Sequence, residues 1–141
     1  SDRGGEGFAF RGDDGIDELT LATTSTVLQI HKGEIQEHKF DPEEIGIERA
    51  PLTSLIGGDP EVNAKIIRGV FEGDQGPIRD AILLNAAIAI AAFKGDFDIG
   101  LNQQIANGLV LAQQAIDSGK ALELLVNFAK LTQELSPANR R

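Results

Sequence analysis

The sequence contains no cysteine in its 141 residues. It therefore cannot form a disulfide framework or a thiolate metal site. Basic residues are also few, since 13 Lys and Arg stand against 22 Asp and Glu, which gives a formal net charge of −9. This acidic balance argues against a general nucleic-acid-binding surface and against an anionic membrane as a partner. A phosphate-bearing ligand would need local help from a metal ion or a helix N-terminus.

Long apolar runs are missing as well. The most apolar stretch, from Ile82 to Phe93, is interrupted by Asn85 and is shorter than the about 20 residues that a membrane span needs. The start, Ser1–Gly5, is polar and glycine-rich, unlike a signal peptide. The absence of cysteine is compatible with a cytosolic location. The start also lacks an initiator Met and any structured lead-in before the segment at Phe8, which favours a piece of a longer chain.

Several catalytic signatures do not occur. No G-x-S-x-G elbow surrounds the hydroxyl cluster Thr23–Thr26, which argues against a serine nucleophile of that type. Neither a P-loop nor a G-x-G-x-x-G segment is present. Any phosphate chemistry must therefore depend on other features of the chain.

The pattern of elements predicts an α/β fold. Phe8–Arg11 is a short strand, and the tight turn Gly12–Gly15 follows it. Thr26–His31 and Glu34–Phe40 form the clearest hairpin, with Lys32-Gly33 between them. We expect the first strand to belong to a mainly parallel sheet, with the hairpin appended to it.

The remaining sequence predicts about five helices within a single domain spanning residues 1–141. Two start with the Asp-Pro pattern of an N-cap followed by proline, and another is apolar on nearly every face and must be buried. A short tail, 137–141, is expected to be disordered. The predicted helices begin at Pro42, Pro60, Pro77, about Leu101 and after Gly119. Asp59 caps the second of these helices and Gly73 ends it. The fourth carries an apolar stripe at Leu101, Ile105, Leu109, Ala112 and Ile116.

Two acidic pairs are candidate ligands for a hard cation. Adjacent carboxylates at Asp17 and Glu18 lie on a loop, or one helical turn, after the first strand, and could hold Mg²⁺ together with water and substrate phosphates. Taken alone, this spacing fits a helix cap or a solvated surface better. Asp13 and Asp14 could add ligands, but Asx residues between glycines favour turn formation.

Other polar residues give weaker indications. His31 and His38 lie in opposed strands and could approach each other, but no third ligand is evident, so a Zn²⁺ site is not expected. Asn85, inside the buried helix, is interpreted as a core amide that bonds to backbone or to a neighbouring loop.

Four segments, in order, resemble a known family. Gly12–Leu19 is similar to the H-G-x-D-G-[LI]-D-E segment of anthranilate phosphoribosyltransferases, except that Arg11 stands where that family often has His. Gly57–Ala64 resembles the family's G-G-D-x-x-x-N-A segment, and Gly76–Ala87 resembles its G-x-x-R-D-x-x-x-L-N-A-A helix. Ala115–Ala121 is similar to its A-I-D-S-G-x-A turn. Together the four segments cover nearly the whole chain.

The resemblance implies a fold and a function. The fold would be an incomplete phosphoribosyltransferase-like C-terminal α/β domain. The complete enzyme would transfer the phosphoribosyl group of phosphoribosyl pyrophosphate to anthranilate in tryptophan biosynthesis, as a cytoplasmic homodimer that binds neither nucleic acid nor membrane. Carried over by position, Asp17 and Glu18 would hold the Mg²⁺ cofactor, and no catalytic residue is assigned.

The resemblance also implies missing parts. The family's glycine-rich pyrophosphate loop and its K-H-G-N-R type segment are absent, so we expect the chain alone to be inactive. The alternative is a non-catalytic phosphoribosyltransferase-like binding or interaction domain. Relatives of that type that bind nucleic acid can lack the acidic pair, and the retained Asp17 and Glu18 count against this version.

Overall fold

The computed structural model describes residues 4–135, which form two compact units. Of these, residues 4–56 and 75–113 make the first unit, and residues 57–74 and 114–135 make the second. The strands are β1 (Gly7–Gly12), β2 (Ser25–His31) and β3 (Glu34–Phe40), and the helices are α1 (Pro60–Glu72), α2 (Pro77–Lys94), α3 (Leu101–Asp117) and α4 (Lys120–Glu134).

The three strands form one sheet in the order β1-β2-β3, and both pairings are antiparallel. The mixed α/β architecture is confirmed, whereas the parallel pairing predicted for the Phe8 strand is not observed among residues 4–135, where β1 pairs with β2 in the antiparallel direction. A parallel pair needs a long crossover, usually a helix. Residues 13–24 contain no helix, and they return the chain directly so that β2 lies antiparallel to β1.

The predicted hairpin is confirmed, with a two-residue turn. Lys32 and Gly33 both have positive φ angles, 50° and 80°. Two positive φ angles are typical of a type I′ turn, whose twist matches that of the flanking strands. Glycine adopts it freely, whereas Lys32 is the one non-glycine residue with positive φ among residues 4–135.

One face of the sheet is buried in the first unit. Val27 and Phe40 have no exposed surface. Beside them, Gln29 Nε2 donates to the Phe97 oxygen at 3.1 Å, and Gln104 Nε2 donates to Gln29 Oε1 at 3.1 Å. Both amide nitrogens and the Gln29 oxygen are therefore paired, as buried polar groups require, whereas Gln104 Oε1 is buried without a partner among residues 4–135.

The core of the first unit includes residues of α2 and of the first part of α3. The prediction that the Pro77 helix is buried is confirmed by six buried residues along it, and the predicted stripe of α3 is also buried. Gly108 of α3 lies directly against the backbone of Ala87 of α2, where a Cβ would come 2.9 Å from the Ala87 carbonyl carbon and nearer still to its oxygen. The two helices therefore touch backbone to backbone at this point.

The second unit contains α1 and α4, which contact each other. Asp59 caps α1, since its side chain accepts from Val62 N–H at 2.9 Å, and Gly73 ends the helix in the left-handed region. Both signals were predicted. Helix α4 leaves Leu124, 70% exposed, and Phe128, 62% exposed, on its surface.

Two predictions about helices need correction or stay untested. The first predicted helix is a single 3₁₀ turn, Pro42–Ile45, and a second one, Leu52–Leu55, was not predicted. The expected tail at 137–141 lies outside the described residues. Among residues 4–135, no single helix is long and apolar enough to cross a membrane, and only the bent pair α1 and α2 would pass on length and composition.

Candidate functional site

Asp17 and Glu18, hereafter the acidic pair, lie on the loop that leaves β1. Both are exposed, in a bend without helical structure. Neither side chain has a hydrogen bond or an ion pair to any of residues 4–135. The pair therefore has free carboxylate oxygens, unlike its acidic neighbours.

The backbone before the acidic pair folds into a tight turn. Gly12 N–H donates to the Ile16 oxygen at 3.0 Å, and Gly15 N–H donates to the Gly12 oxygen at 3.0 Å. A Cβ at Gly12 would come 2.9 Å from Ile16 Cγ1 and 3.1 Å from Thr20 Cβ, so a larger residue does not fit without a shift. This close packing fixes the entry to the loop.

The backbone after the acidic pair is held by a helix. Leu19, only 1% exposed, donates its N–H to Asn85 Oδ1 at 2.9 Å. Asn85 Nδ2 in turn donates to the Leu19 oxygen at 3.0 Å and to the Ala81 oxygen at 3.0 Å. The interpretation of Asn85 as an amide that bonds to backbone and to a neighbouring loop is confirmed.

Thr20 forms a second attachment that the sequence did not reveal. It is fully buried, and its Oγ1 donates to Asp14 Oδ2 at 2.6 Å and accepts from Ala22 N–H at 3.0 Å. Its own N–H donates to Ser25 Oγ at 3.1 Å. No local motif signals these contacts, because they depend on how the loop closes against β2.

Asp13 is occupied by structural contacts. Lys39 Nζ donates to both of its carboxylate oxygens at 2.8 and 2.9 Å, Thr26 Oγ1 donates at 3.0 Å, and Thr24 also donates to it. The hydrogen bond from Lys39, followed by that from Thr24, lowers the pKa of Asp13 from 3.8 to about 2. Asp14 Oδ1 accepts from Ile16 N–H at 3.4 Å, which agrees with the turn-forming interpretation of Asp14, whereas the side chain of Asp13 bonds outside the turn.

The carboxylates of the loop could bind a hard cation whose remaining ligands come from other groups. Among the described residues, no group of three or more His, Cys, Asp and Glu is placed to hold a metal ion. The acidic pair offers two hard oxygen ligands, and Mg²⁺ usually takes one or two carboxylates together with waters and substrate phosphates. The pair therefore fits Mg²⁺ as part of a shared site.

The two histidines do not form a site. In the sheet register His31 lies opposite Glu34, whereas His38 lies opposite Val27, so they are four residues apart, or about 13 Å along the strand. The expectation that they could approach each other was wrong. His31 Nδ1 instead lies 2.8 Å from Glu6 Oε1.

Arg11, which stands where the family often has His, lies near the loop. Arg11 is exposed at the end of β1, and a cavity of about 560 Å³ lies beside it, lined by Asp13 and Glu37 among others. The acidic pair does not line this cavity. The open space next to Arg11 and the free carboxylates are therefore separate features of the same end of the sheet.

Curated relatives of the chain share one name. It is 50% identical over 134 residues to the "Anthranilate phosphoribosyltransferase" of Rhodococcus jostii (strain RHA1), covering 95% of this chain and 37% of that protein. It is 45% identical over 131 residues to the protein of the same name from Arthrobacter sp. (strain FB24), covering 93% and 37%. The chain thus spans little more than a third of the length of these relatives.

Solved structures give the same result. The anthranilate phosphoribosyltransferase from Thermus thermophilus matches with a TM-score of 0.74 and 32% identity, over 91% of this chain and 36% of that one. The enzyme from Saccharomyces cerevisiae in complex with PRPP and Mg matches with a TM-score of 0.79 and 29% identity, over 92% and 36%. Residues 3–122 match the family described as "Glycosyl transferase family, a/b domain". The chain belongs to this glycosyl transferase family.

Proposed function

We propose that this chain supplies the Mg²⁺-holding acidic pair of a transferase that moves the phosphoribosyl group of phosphoribosyl pyrophosphate to anthranilate. The observation that carries the proposal is the contrast within one loop. Asp13 and Asp14 are bonded to lysine and hydroxyl groups, whereas Asp17 and Glu18 are exposed and free. Carboxylates that do not stabilise the fold are available to a ligand. The yeast relative was solved in complex with PRPP and Mg, which supports the same pairing of ligand and cation here.

The charge of the chain supports a metal-assisted mode of binding. At a net charge of −9, the protein repels a substrate that carries several phosphate charges. Bound Mg²⁺ would supply a positive centre that stabilises the charge developing on the pyrophosphate leaving group. In this arrangement Asp17 and Glu18 orient the cation and take no part as acid or base.

The chain alone is proposed to be inactive as a transferase. Much of the rate advantage of a two-substrate reaction comes from holding both partners in line. The pyrophosphate loop and the anthranilate-contacting segment of the family do not occur in this sequence, so in this proposal those contacts come from elsewhere. A fluorescence assay for the product, with anthranilate, phosphoribosyl pyrophosphate and Mg²⁺, tests this. Robust turnover by the 141-residue chain would contradict it.

Binding of phosphoribosyl pyrophosphate tests the function itself. We would titrate a polypeptide that carries this chain within the full length of its relatives, with and without Mg²⁺, in a calorimeter. The double variant Asp17→Asn, Glu18→Gln should bind phosphoribosyl pyrophosphate more than about tenfold more weakly. About tenfold is the smallest loss typical of removing a group that only orients a metal ligand. Glu61→Gln, at an exposed acidic position in the first turn of α1, is the matched control and should bind normally.

The outcomes separate the two classes of function. Mg²⁺-dependent binding that needs the acidic pair, followed by turnover, supports the transferase. Binding that ignores both Mg²⁺ and the pair would favour a non-catalytic phosphoribosyltransferase-like domain instead. The proposal also places the complete enzyme in tryptophan biosynthesis, in the cytoplasm and as a homodimer, without nucleic acid or membrane as partners. Sedimentation of the extended polypeptide tests the dimer.

A further inference from the structure

The acidic pair lies between two peptide units that hydrogen bonds hold in place. The peptide group between Ile16 and Asp17 is held through the Ile16 oxygen, which accepts from Gly12 N–H at 3.0 Å. The peptide group between Glu18 and Leu19 is held through Leu19 N–H, which donates to Asn85 Oδ1 at 2.9 Å. Because peptide groups are planar, the backbone freedom of the pair is limited to the φ and ψ angles of Asp17 and Glu18, on either side of the peptide group between them.

The two attachments differ in origin. Gly12 lies in the strand that enters the loop, so its bond is part of a local turn. Asn85 lies 66 residues from Leu19 along the chain, in the middle of α2. The side chain of Asn85 thus ties the exit of the loop to a different element of the first unit.

The Asn85 amide is itself held in one orientation. Its Nδ2 donates both to the Leu19 oxygen and to the Ala81 oxygen, one turn earlier in α2, each at 3.0 Å. An amide nitrogen has two hydrogens to donate, and both are used. The flanking residue Leu84 has no exposed surface, so the helix that carries the amide is anchored in the core. The orientation of the loop exit is therefore set by α2.

We infer that Asn85 is a positioning residue, which fixes the two carboxylates of the acidic pair in the arrangement that receives a divalent cation. This inference rests on the proposed function of the pair. Without the amide, Leu19 would keep its buried side chain but lose the partners of both its N–H and its C=O. Buried backbone groups without partners are costly, so the peptide turns until it finds new ones. That rotation changes the backbone torsions of Glu18 and moves its carboxylate relative to Asp17.

The expected effect is a weaker cation site on a folded protein. Groups that orient metal ligands without touching the metal typically change affinity by about 10–100-fold. Since the pair supplies only two ligands, we expect Asn85→Ala to reduce the affinity for Mn²⁺, used as a paramagnetic substitute for Mg²⁺, by about tenfold. The amide proton of Leu19 should also exchange faster with solvent, because its acceptor is gone.

The experiment is an NMR titration of the ¹⁵N-labelled 141-residue chain with Mn²⁺ alone. Broadening of the amide signals of residues 16–19 measures cation binding at the acidic pair, and hydrogen exchange at Leu19 measures the attachment. Asn63→Ala is the matched control. It removes the same kind of two-bond contact, in which Asn63 Oδ1 accepts from Gly58 N–H at 2.9 Å and Asn63 Nδ2 donates to the Gly58 oxygen at 3.0 Å. Broadening near the pair should not change in this control.

Each outcome decides one of the two claims. No broadening at the pair in the wild type, or full broadening in the double variant Asp17→Asn, Glu18→Gln, would overturn the proposed function and the inference with it. Broadening that disappears in the double variant but persists at full strength in Asn85→Ala would overturn the inference alone. If Asn85→Ala does not fold, Asn85→Ser takes its place, because the hydroxyl can bond to the Ala81 oxygen and preserve the helix. Unchanged Mn²⁺ affinity in that variant would equally contradict the role of Asn85.

Discussion

Replacing Gly108 by alanine should destabilise the first unit although alanine is the better helix former. An ideal Cβ at this position lies 2.9 Å from the Ala87 carbonyl carbon and 3.1 Å from its Cα. Both distances are shorter than ordinary van der Waals contact, and the obstacle is backbone, which cannot rotate away. Helices α2 and α3 must therefore move apart at their closest point.

Two effects of opposite sign determine the magnitude. Gly to Ala in a helix interior gains about 1 kcal/mol from helix propensity. Overpacking a well-filled interior costs typically about 1–3 kcal/mol, and a backbone obstacle belongs near the upper end. The net loss for Gly108→Ala is thus about 1–2 kcal/mol. Leu84, Ala87 and Ile105 of helices α2 and α3 have no exposed surface, so little room exists for relaxation.

Gly69→Ala is the matched control, since Gly69 is also inside a helix. Its Cβ would meet the end of the Asp74 side chain, which can rotate away. This variant should be neutral or more stable than the wild type. Urea unfolding followed by circular dichroism gives both values from the midpoints at constant slope. Equal midpoint shifts for the two variants, or a stabilised Gly108→Ala, would show that α2 and α3 do not touch as the structure describes.

Three further substitutions follow from the burial and bonding of single residues. Asp13→Asn should flatten the acid dependence of the urea midpoint. The pKa of Asp13 in the folded protein, about 2, lies below the ordinary 3.8, so the ionised carboxylate stabilises the fold above about pH 4. This stabilisation is lost as the pH falls from about 4 to about 2. Leu84→Ala should cost about 2–5 kcal/mol in urea unfolding, whereas Leu124→Ala, at a mostly exposed position, should change stability by less than about 0.5 kcal/mol. Asp59→Ala should cost about 1 kcal/mol in the second unit, measurable as faster amide exchange at Val62, whose N–H donates to the Asp59 side chain.

Local signals in the sequence account for the elements that depend on a few residues. Lys32-Gly33 predicted the hairpin turn, and Asp59 with Gly73 predicted both ends of α1, because turns and caps are local backbone chemistry. The antiparallel pairing of β1 with β2 was not predicted, because it depends on how residues 13–24 return the chain. That path is fixed by contacts such as Thr20 with Asp14, which no local pattern encodes.

The candidate site shows the same division. The identity of the acidic pair came from a segment that resembles a family. Which acidic residues of the loop have partners depends on distant residues, since Lys39, which donates to Asp13, lies 26 positions away. The sequence indicated that Asn85 serves a neighbouring loop but not which one, because the contact with Leu19 joins residues 66 positions apart. Long-range partners of this kind need the folded structure.

The steady-state rate of phosphoribosyl transfer across a Mg²⁺ titration tests the central claim most directly. The polypeptide that carries this chain at the full length of its relatives is compared with its double variant Asp17→Asn, Glu18→Gln and with Glu61→Gln. We expect the double variant to lose activity strongly at low Mg²⁺ and to keep its circular dichroism spectrum, since the exposed pair makes no bond within residues 4–135. Glu61→Gln should behave as the wild type. An unchanged rate and unchanged Mg²⁺ dependence in the double variant would contradict the account.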